Sequence, residues 1–138
     1  MGEPLITRSE LETVAAAAEL AGRIEPGSIV LLSGDLGVGK TVFVRGLARG
    51  LGLDERSVSS PTFMLVQEYR GPVTLYHVDL YRITSAESDD LGLDELVSPR
   101  SVVAIEWAEK LARPMRAGIQ VRITDLGGDT REISIEEP

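Results

Sequence analysis

The sequence predicts an α/β fold: a mixed parallel and antiparallel sheet flanked by helices and finished by a C-terminal β-hairpin. Three observations lead there. Two short apolar runs, SIVLLS at 28–33 and SVVAIEW at 101–107, have the composition of strands buried on both faces, as in the parallel centre of an α/β sheet. Alanine- and leucine-rich segments with helical spacing lie around the first run. Further stretches alternate apolar and polar residues across tight turns, which adds antiparallel pairs.

Taken in order, Ser9 precedes LETVAAAAELAGRI, whose apolar spacing predicts a helix over about residues 9–22, with Ser9 as N-cap and Glu12 in the capping-box position. Pro26-Gly27 is a turn, and residues 28–33 are a buried strand. A glycine-punctuated loop follows, after which KTVFVRGLARGLGL is helical until its glycines end it. VSSPTF is a loop. MLVQEY and PVTLYHVDLYR are β-rich and separated by Arg70-Gly71, which predicts an antiparallel hairpin. TSAESDDLGLDELVSPR is polar and acidic, with enough leucine for one or two short helices. SVVAIEW is the second buried strand. Beyond Pro114, GIQVRITD and TREISIEE alternate in period two around residues 125–129, a C-terminal hairpin. No internal repeat or low-complexity tract appears, and 138 residues fit a single domain over 1–138.

Composition excludes several chemistries. There is no cysteine, so disulfides, thiol catalysis and cysteine-ligated zinc are ruled out. His77 is the single histidine, which rules out a multi-histidine metal site. The start, MGEPLITRSE, lacks the features of a signal peptide, and no apolar run approaches the roughly 18 residues of a membrane span. A cytoplasmic protein without membrane contact is expected. The net charge is −8, and Lys40 and Lys110 are the only lysines. A direct grip on nucleic acid normally needs a basic face, so none is expected here.

GDLGVGKT at 34–41 matches GxxxxGK[ST] and sits between a buried strand and a helix, where a phosphate-binding loop (P-loop) must be. Glycines let the backbone wrap a phosphate, N–H groups point inward, and the helix N-terminus adds partial positive charge. Lys40 would reach the β- and γ-phosphates, and the Thr41 hydroxyl would ligate Mg²⁺. Gly34, Asp35, Leu36, Gly37, Val38, Gly39, Lys40, Thr41 and Val42 are the candidate contacts. A second carboxylate at a strand end must hold the metal's water shell. Glu106, after the apolar run Val102–Ile105, is the candidate, the other reading being a solvated strand end.

Asp79, in YHVDLYR, faces away from Val78 and Leu80. It is either a second carboxylate near the γ-phosphate or a structural residue that pairs with Arg82 or ends the strand. His77 shares its face and reads as a hydrogen-bonded structural residue. Thr62, in SSPTF, is either a nucleotide-sensing threonine or part of a plain connection. Trp107, the only tryptophan, either lies beside a nucleotide or anchors the core. The chain contains no asparagine, hence no Asn-Lys-x-Asp guanine motif, which favours ATP over GTP.

GDLGVGKT, VSSPTFMLVQEY, HVDLYR and IEWAE, in this order and at these separations, resemble the TsaE (YjeE) family of small bacterial P-loop ATPases required to make threonylcarbamoyladenosine in tRNA. The resemblance runs from about residue 9 to 136. It departs at Val38, where the family often has alanine, and at Ala108, where it often has proline. It implies that residues 34–41 bind ATP phosphates and that Thr41 and Glu106 serve Mg²⁺. Asp79 would be needed for hydrolysis, with Lys40 on the phosphates, Thr62 in a switch-like loop and Trp107 near the nucleotide. Ser9, Thr13 and Arg131 would border the adenine. The implied partners are TsaB and TsaD, the threonylcarbamoyl-transfer complex that ATP hydrolysis resets between turnovers. Two other readings compatible with a P-loop are a small-molecule kinase and a nucleotide-sensing module without turnover. The acidic stretch ESDDLGLDEL stands against the kinase, whose lid is usually arginine-rich.

Overall fold

The two apolar runs occupy the middle of the sheet. The structure is a computed structural model describing residues 3–35, 37, 39–58, 66–89, 91–111 and 118–137. Its strands are β1 Leu5–Thr7, β2 Ile29–Ser33, β3 Val66–Tyr69, β4 Thr74–Asp79, β5 Ser101–Glu106, β6 Gly118–Gly127 and β7 Thr130–Glu136. The described residues form one seven-stranded sheet in the order β1-β7-β6-β2-β5-β4-β3. Neighbours among β6, β2, β5 and β4 are parallel, while β7 and β1 on one side and β3 on the other add antiparallel edges. Every residue of β5 is buried, as the unbroken apolar run required.

The helices are α1 Glu10–Arg23, α2 Lys40–Gly50 and the short α3 Ser85–Asp89, with 3₁₀ turns at Glu55–Ser57, Leu93–Leu96 and Ala108–Lys110. Ser9 Oγ accepts the Glu12 N–H at 3.1 Å and so caps α1. Glu12 Oε1 accepts from the Arg8 N–H at 2.9 Å, one residue before the cap, so the expected reciprocal box is displaced by one position. Alternate strand residues feed two cores. Val30, Leu32, Ala104, Val121 and Ile133 pack under Leu20 of α1 and Phe43 and Leu47 of α2. Ile29, Leu31, Val78, Val103 and Ile105 face the other way, against Leu80, Ile83 and Leu93.

Helix α1 sits close against α2 because Gly46 and Gly50 present no side chain. A Cβ at Gly46 would stand 2.4 Å from the Val14 carbonyl oxygen, and one at Gly50 would stand 2.5 Å from that of Ala18. Strand β1 has no signature in the sequence. Three residues are too few to show a period, and the strand exists because β7 offers an edge, pairing Leu5 with Ile133 and Thr7 with Arg131. A buried hydrogen bond of 2.8 Å between the Thr7 and Thr13 hydroxyls ties it to α1. The two hairpins form as expected, with a register shift between Asp125 and Gly127 at the C-terminal one. Among the described residues no helix is long and apolar enough to cross a membrane.

Candidate functional site

The parallel strands β2, β5 and β4 deliver Ser33, Glu106 and Asp79 at their C-terminal ends, the end at which open α/β sheets bind ligands. Between β2 and α2, Gly34, Gly37 and Gly39 have φ of 143°, 78° and 111°. Side-chain-bearing residues rarely adopt these angles, so the path of the loop depends on glycine here. Gly39 caps α2 in a left-handed conformation, and the first turn of α2 holds no acidic residue. Its N–H groups and dipole therefore suit an anion.

Lys40 is only 4% exposed. Its ammonium donates to the Gly34 carbonyl and, at 3.1 Å, to that of Asp35, and it lies 3.7 Å from the centroid of the Trp107 ring. Burial holds its pKa below the usual lysine value, against the opposite pull of Glu106, Glu109, Asp79 and Asp35. Neutral acceptors satisfy the cation in this pose; phosphate oxygens would make stronger, charge-assisted bonds.

Thr41 Oγ1 donates to Glu106 Oε2 at 2.9 Å. Its proton thus committed, the hydroxyl keeps its lone pairs for a cation. The same Oε2 contacts Nε2 of His77. His77 is fully buried, as the structural reading required, but its partner is the candidate metal-side carboxylate. Asp79 stands beside Glu106 in the β4–β5 register, and its Oδ1 accepts the Tyr81 N–H at 2.9 Å. Burial raises the Asp79 pKa; the Tyr81 N–H opposes the rise, Glu106 adds to it, and His77 and Lys40 oppose it. Among the described residues no ion pair joins Asp79 to Arg82, and Asp79 is the last residue of β4, the other structural alternative.

Trp107 takes the core-anchoring one of its two expected roles. It packs against the second core while its ring lies over Lys40 and, tilted by 38°, 4.9 Å from that of Tyr81. It is the one non-glycine residue with positive φ among those described (60°), a strained backbone of the kind found at functional sites. A cavity of about 270 Å³ opens between three elements. Ser9, Glu10 and Thr13 line it from the start of α1, Gly37, Gly39 and Val42 from the loop and α2, and Asp129 and Arg131 from the β6–β7 hairpin. Arg131 is oriented there by the carbonyls of Gly128 and Thr130 at 2.7 and 2.9 Å and by Asp125 at 3.1 Å.

The structure therefore gathers Lys40, Thr41, Asp79, Glu106 and Trp107 at one mouth, and Ser9, Thr13, Val42 and Arg131 at an adjoining cavity. Leu36, Val38 and Thr62 lie outside the described residues. Sequence reasoning missed the contact of His77 with Glu106, the place of Tyr81, and Glu10 and Asp129 in the cavity wall. Only Tyr81 left a local signal, since an aspartate often accepts the N–H two residues on. The others depend on strand order.

The match to known proteins covers nearly the whole chain. A family model described as "Threonylcarbamoyl adenosine biosynthesis protein TsaE" matches residues 7–133. The tRNA threonylcarbamoyladenosine biosynthesis protein TsaE of Bacillus subtilis (strain 168) is 44% identical over 125 residues, covering 89% of this chain and 78% of its own. That of Treponema pallidum (strain Nichols) is 39% identical over 132 residues, covering 94% and 97%. A crystal structure of Bacillus subtilis YdiB superposes with a TM-score of 0.77 at 36% identity, covering 98% of this chain and 84% of that one. The chain belongs to the TsaE family.

Proposed function

We propose that this protein is a Mg²⁺-dependent ATP hydrolase that serves the formation of threonylcarbamoyladenosine in tRNA, acting on the TsaB–TsaD transfer complex. The observation that carries the reading is the Thr41–Glu106 hydrogen bond at the mouth of the glycine loop, flanked by Lys40 and Asp79. Family membership, through relatives named for this pathway, supplies the biological setting. The same reading puts the protein in the cytoplasm, with the ATP and tRNA that the pathway uses.

In this proposal the loop N–H groups of residues 34–41 hold the phosphates. Lys40 leaves the Gly34 and Asp35 carbonyls for the β- and γ-phosphate oxygens. Thr41 would keep its hydrogen bond to Glu106 and offer a lone pair to the metal, and Glu106 would order the metal's water. When bound, magnesium would supply neutralisation of the charge that develops on the phosphate oxygens. Because one hydroxyl, one carboxylate, waters and substrate phosphates suffice for this ion, a closed cage of acidic residues is not needed. Asp79, whose raised pKa makes it a better proton acceptor than an exposed aspartate, orients the attacking water. The cavity at Ser9, Thr13 and Arg131 receives the nucleoside.

The test is phosphate release from ATP–Mg²⁺ with and without TsaB and TsaD, alongside tRNA modification. Release stimulated by the pair, together with modified tRNA, is the expected result. No hydrolysis in the presence of both partners overturns the reading. Phosphate passing to a metabolite would make the protein a kinase, and nucleotide binding without turnover would make it a sensor.

A further inference from the structure

We propose that His77 is a positioning residue for Glu106: it fixes one oxygen of the carboxylate so that the other is presented to the metal-bound water. The proposal rests on the reading of this site as one for Mg²⁺ and nucleotide, and concerns a residue to which that reading gives no task.

The geometry is asymmetric. His77 Nε2 and Thr41 Oγ1 both meet Oε2 of Glu106, and among the described residues no hydrogen bond reaches Oε1. An unrestrained glutamate has three rotatable bonds and would divide its time among several orientations. Two donors converging on one oxygen, one from α2 and one from β4, remove that freedom and leave a single oxygen unengaged. Each donor comes from a regular element, so the carboxylate inherits the rigidity of helix and sheet rather than of a loop.

The other ring nitrogen argues that this is the reason for the histidine. Nδ1 is buried and has no hydrogen-bond partner among the described residues. A carboxylate that already accepts from Thr41 takes Nε2 as a donor, which leaves Nδ1 as the bare lone-pair nitrogen. An aliphatic side chain such as leucine would remove the unpaired nitrogen, at the expense of a donor to the buried Glu106 carboxylate. Leu75 and Val78 on the same strand are buried and apolar. The unpaired nitrogen is a cost carried for the N–H given to Glu106. This is the relation by which outer groups orient the ligands of a metal and the waters held by it.

The test compares three variants of the full chain. In His77→Gln the amide nitrogen reaches the place of Nε2; in His77→Asn it reaches only the place of Nδ1; His77→Leu has no donor. Calorimetry measures the affinity for a non-hydrolysable ATP analogue with Mg²⁺ and with a chelator, beside a melting curve. We expect His77→Leu to keep the metal-free affinity while losing about tenfold or more of the tightening that Mg²⁺ gives. His77→Gln recovers most of that tightening and His77→Asn does not. Equal Mg²⁺ effects in wild type and His77→Leu overturn the proposal, as does a parallel loss of metal-free affinity. If His77→Leu fails to fold, the Gln and Asn variants decide, and equal behaviour of the two overturns it. A wild-type protein that binds the analogue with no Mg²⁺ effect overturns the underlying site reading, which separates that failure from failure of the His77 assignment alone.

Discussion

Thr41 Oγ1 donates to Glu106 Oε2 across 2.9 Å, joining the first turn of α2 to the last residue of β5. Residues that act as one unit give non-additive losses. Glu106→Gln and Thr41→Val are each expected to lower phosphate release, measured with the partner proteins, by about 100-fold or more. The double variant should fall little further, and Thr41→Ser should retain most of the activity. Losses that multiply in the double variant would show that the two side chains act separately.

Asp79 gives a pH-dependent signature. Burial raises its folded-state pKa, so the folded protein holds this proton more tightly than the unfolded chain does. Below the ordinary carboxylate value both states are protonated and the group has no effect on stability. As pH rises through that value and then through the raised one, the wild type loses stability, and the loss is constant beyond. Asp79→Asn keeps the acceptor for the Tyr81 N–H and removes the charge. It is expected to melt above the wild type at neutral pH, with the two curves converging near about pH 3, and to lose hydrolysis. A gap in melting temperature that persists unchanged into acid would contradict the burial argument.

Two glycines on the paired helices should respond in opposite directions. Alanine at Gly46 gains about 1 kcal/mol of helix propensity. Its Cβ, however, would meet backbone at 2.4 Å, which no side-chain rotation relieves; overpacking of this kind costs about 1–3 kcal/mol or more. The clash wins, and Gly46→Ala should melt several degrees below wild type. Gly22, within α1, has nothing within 4 Å of the added carbon, so Gly22→Ala should stabilise by about 0.5–1 kcal/mol. Denaturant unfolding of both variants checks the pair.

The hydroxyls of Thr7 and Thr13 share a buried hydrogen bond, which fastens β1 to the helix whose first turns line the cavity. Thr7→Val strands the Thr13 hydroxyl and is expected to cost about 1–3 kcal/mol. Replacing both with valine removes the stranded group and should restore much of the loss. A double-mutant cycle in urea reads the coupling directly, and a coupling near zero would mean that β1 is held by its strand pairing to β7 alone.

How much of this was legible in advance follows from the range of each interaction along the chain. The Ser9 cap, the helices at 10–23 and 40–50, both hairpins and the glycine loop rest on neighbours a few positions apart, and periodicity or turn chemistry exposes them. The loop carried its meaning because Gly34, Gly37, Gly39, Lys40 and Thr41 are consecutive or nearly so. Strand β1 could not be read, because the edge it pairs with lies more than a hundred residues away. His77 was legible as a buried, hydrogen-bonded residue but not as the neighbour of Glu106.

By itself, then, the sequence determined the class of sheet and the glycine loop with its lysine and threonine, and offered the carboxylates Asp79 and Glu106 as candidates. Tertiary structure alone decided that these meet. Thr41 and Glu106 are 65 positions apart, and His77 and Glu106 are 29 apart. They touch because β4, β5 and β2 lie side by side and parallel. Strand order comes from burying both faces of the central strands at once, a free-energy balance over the whole sheet that no local stretch encodes.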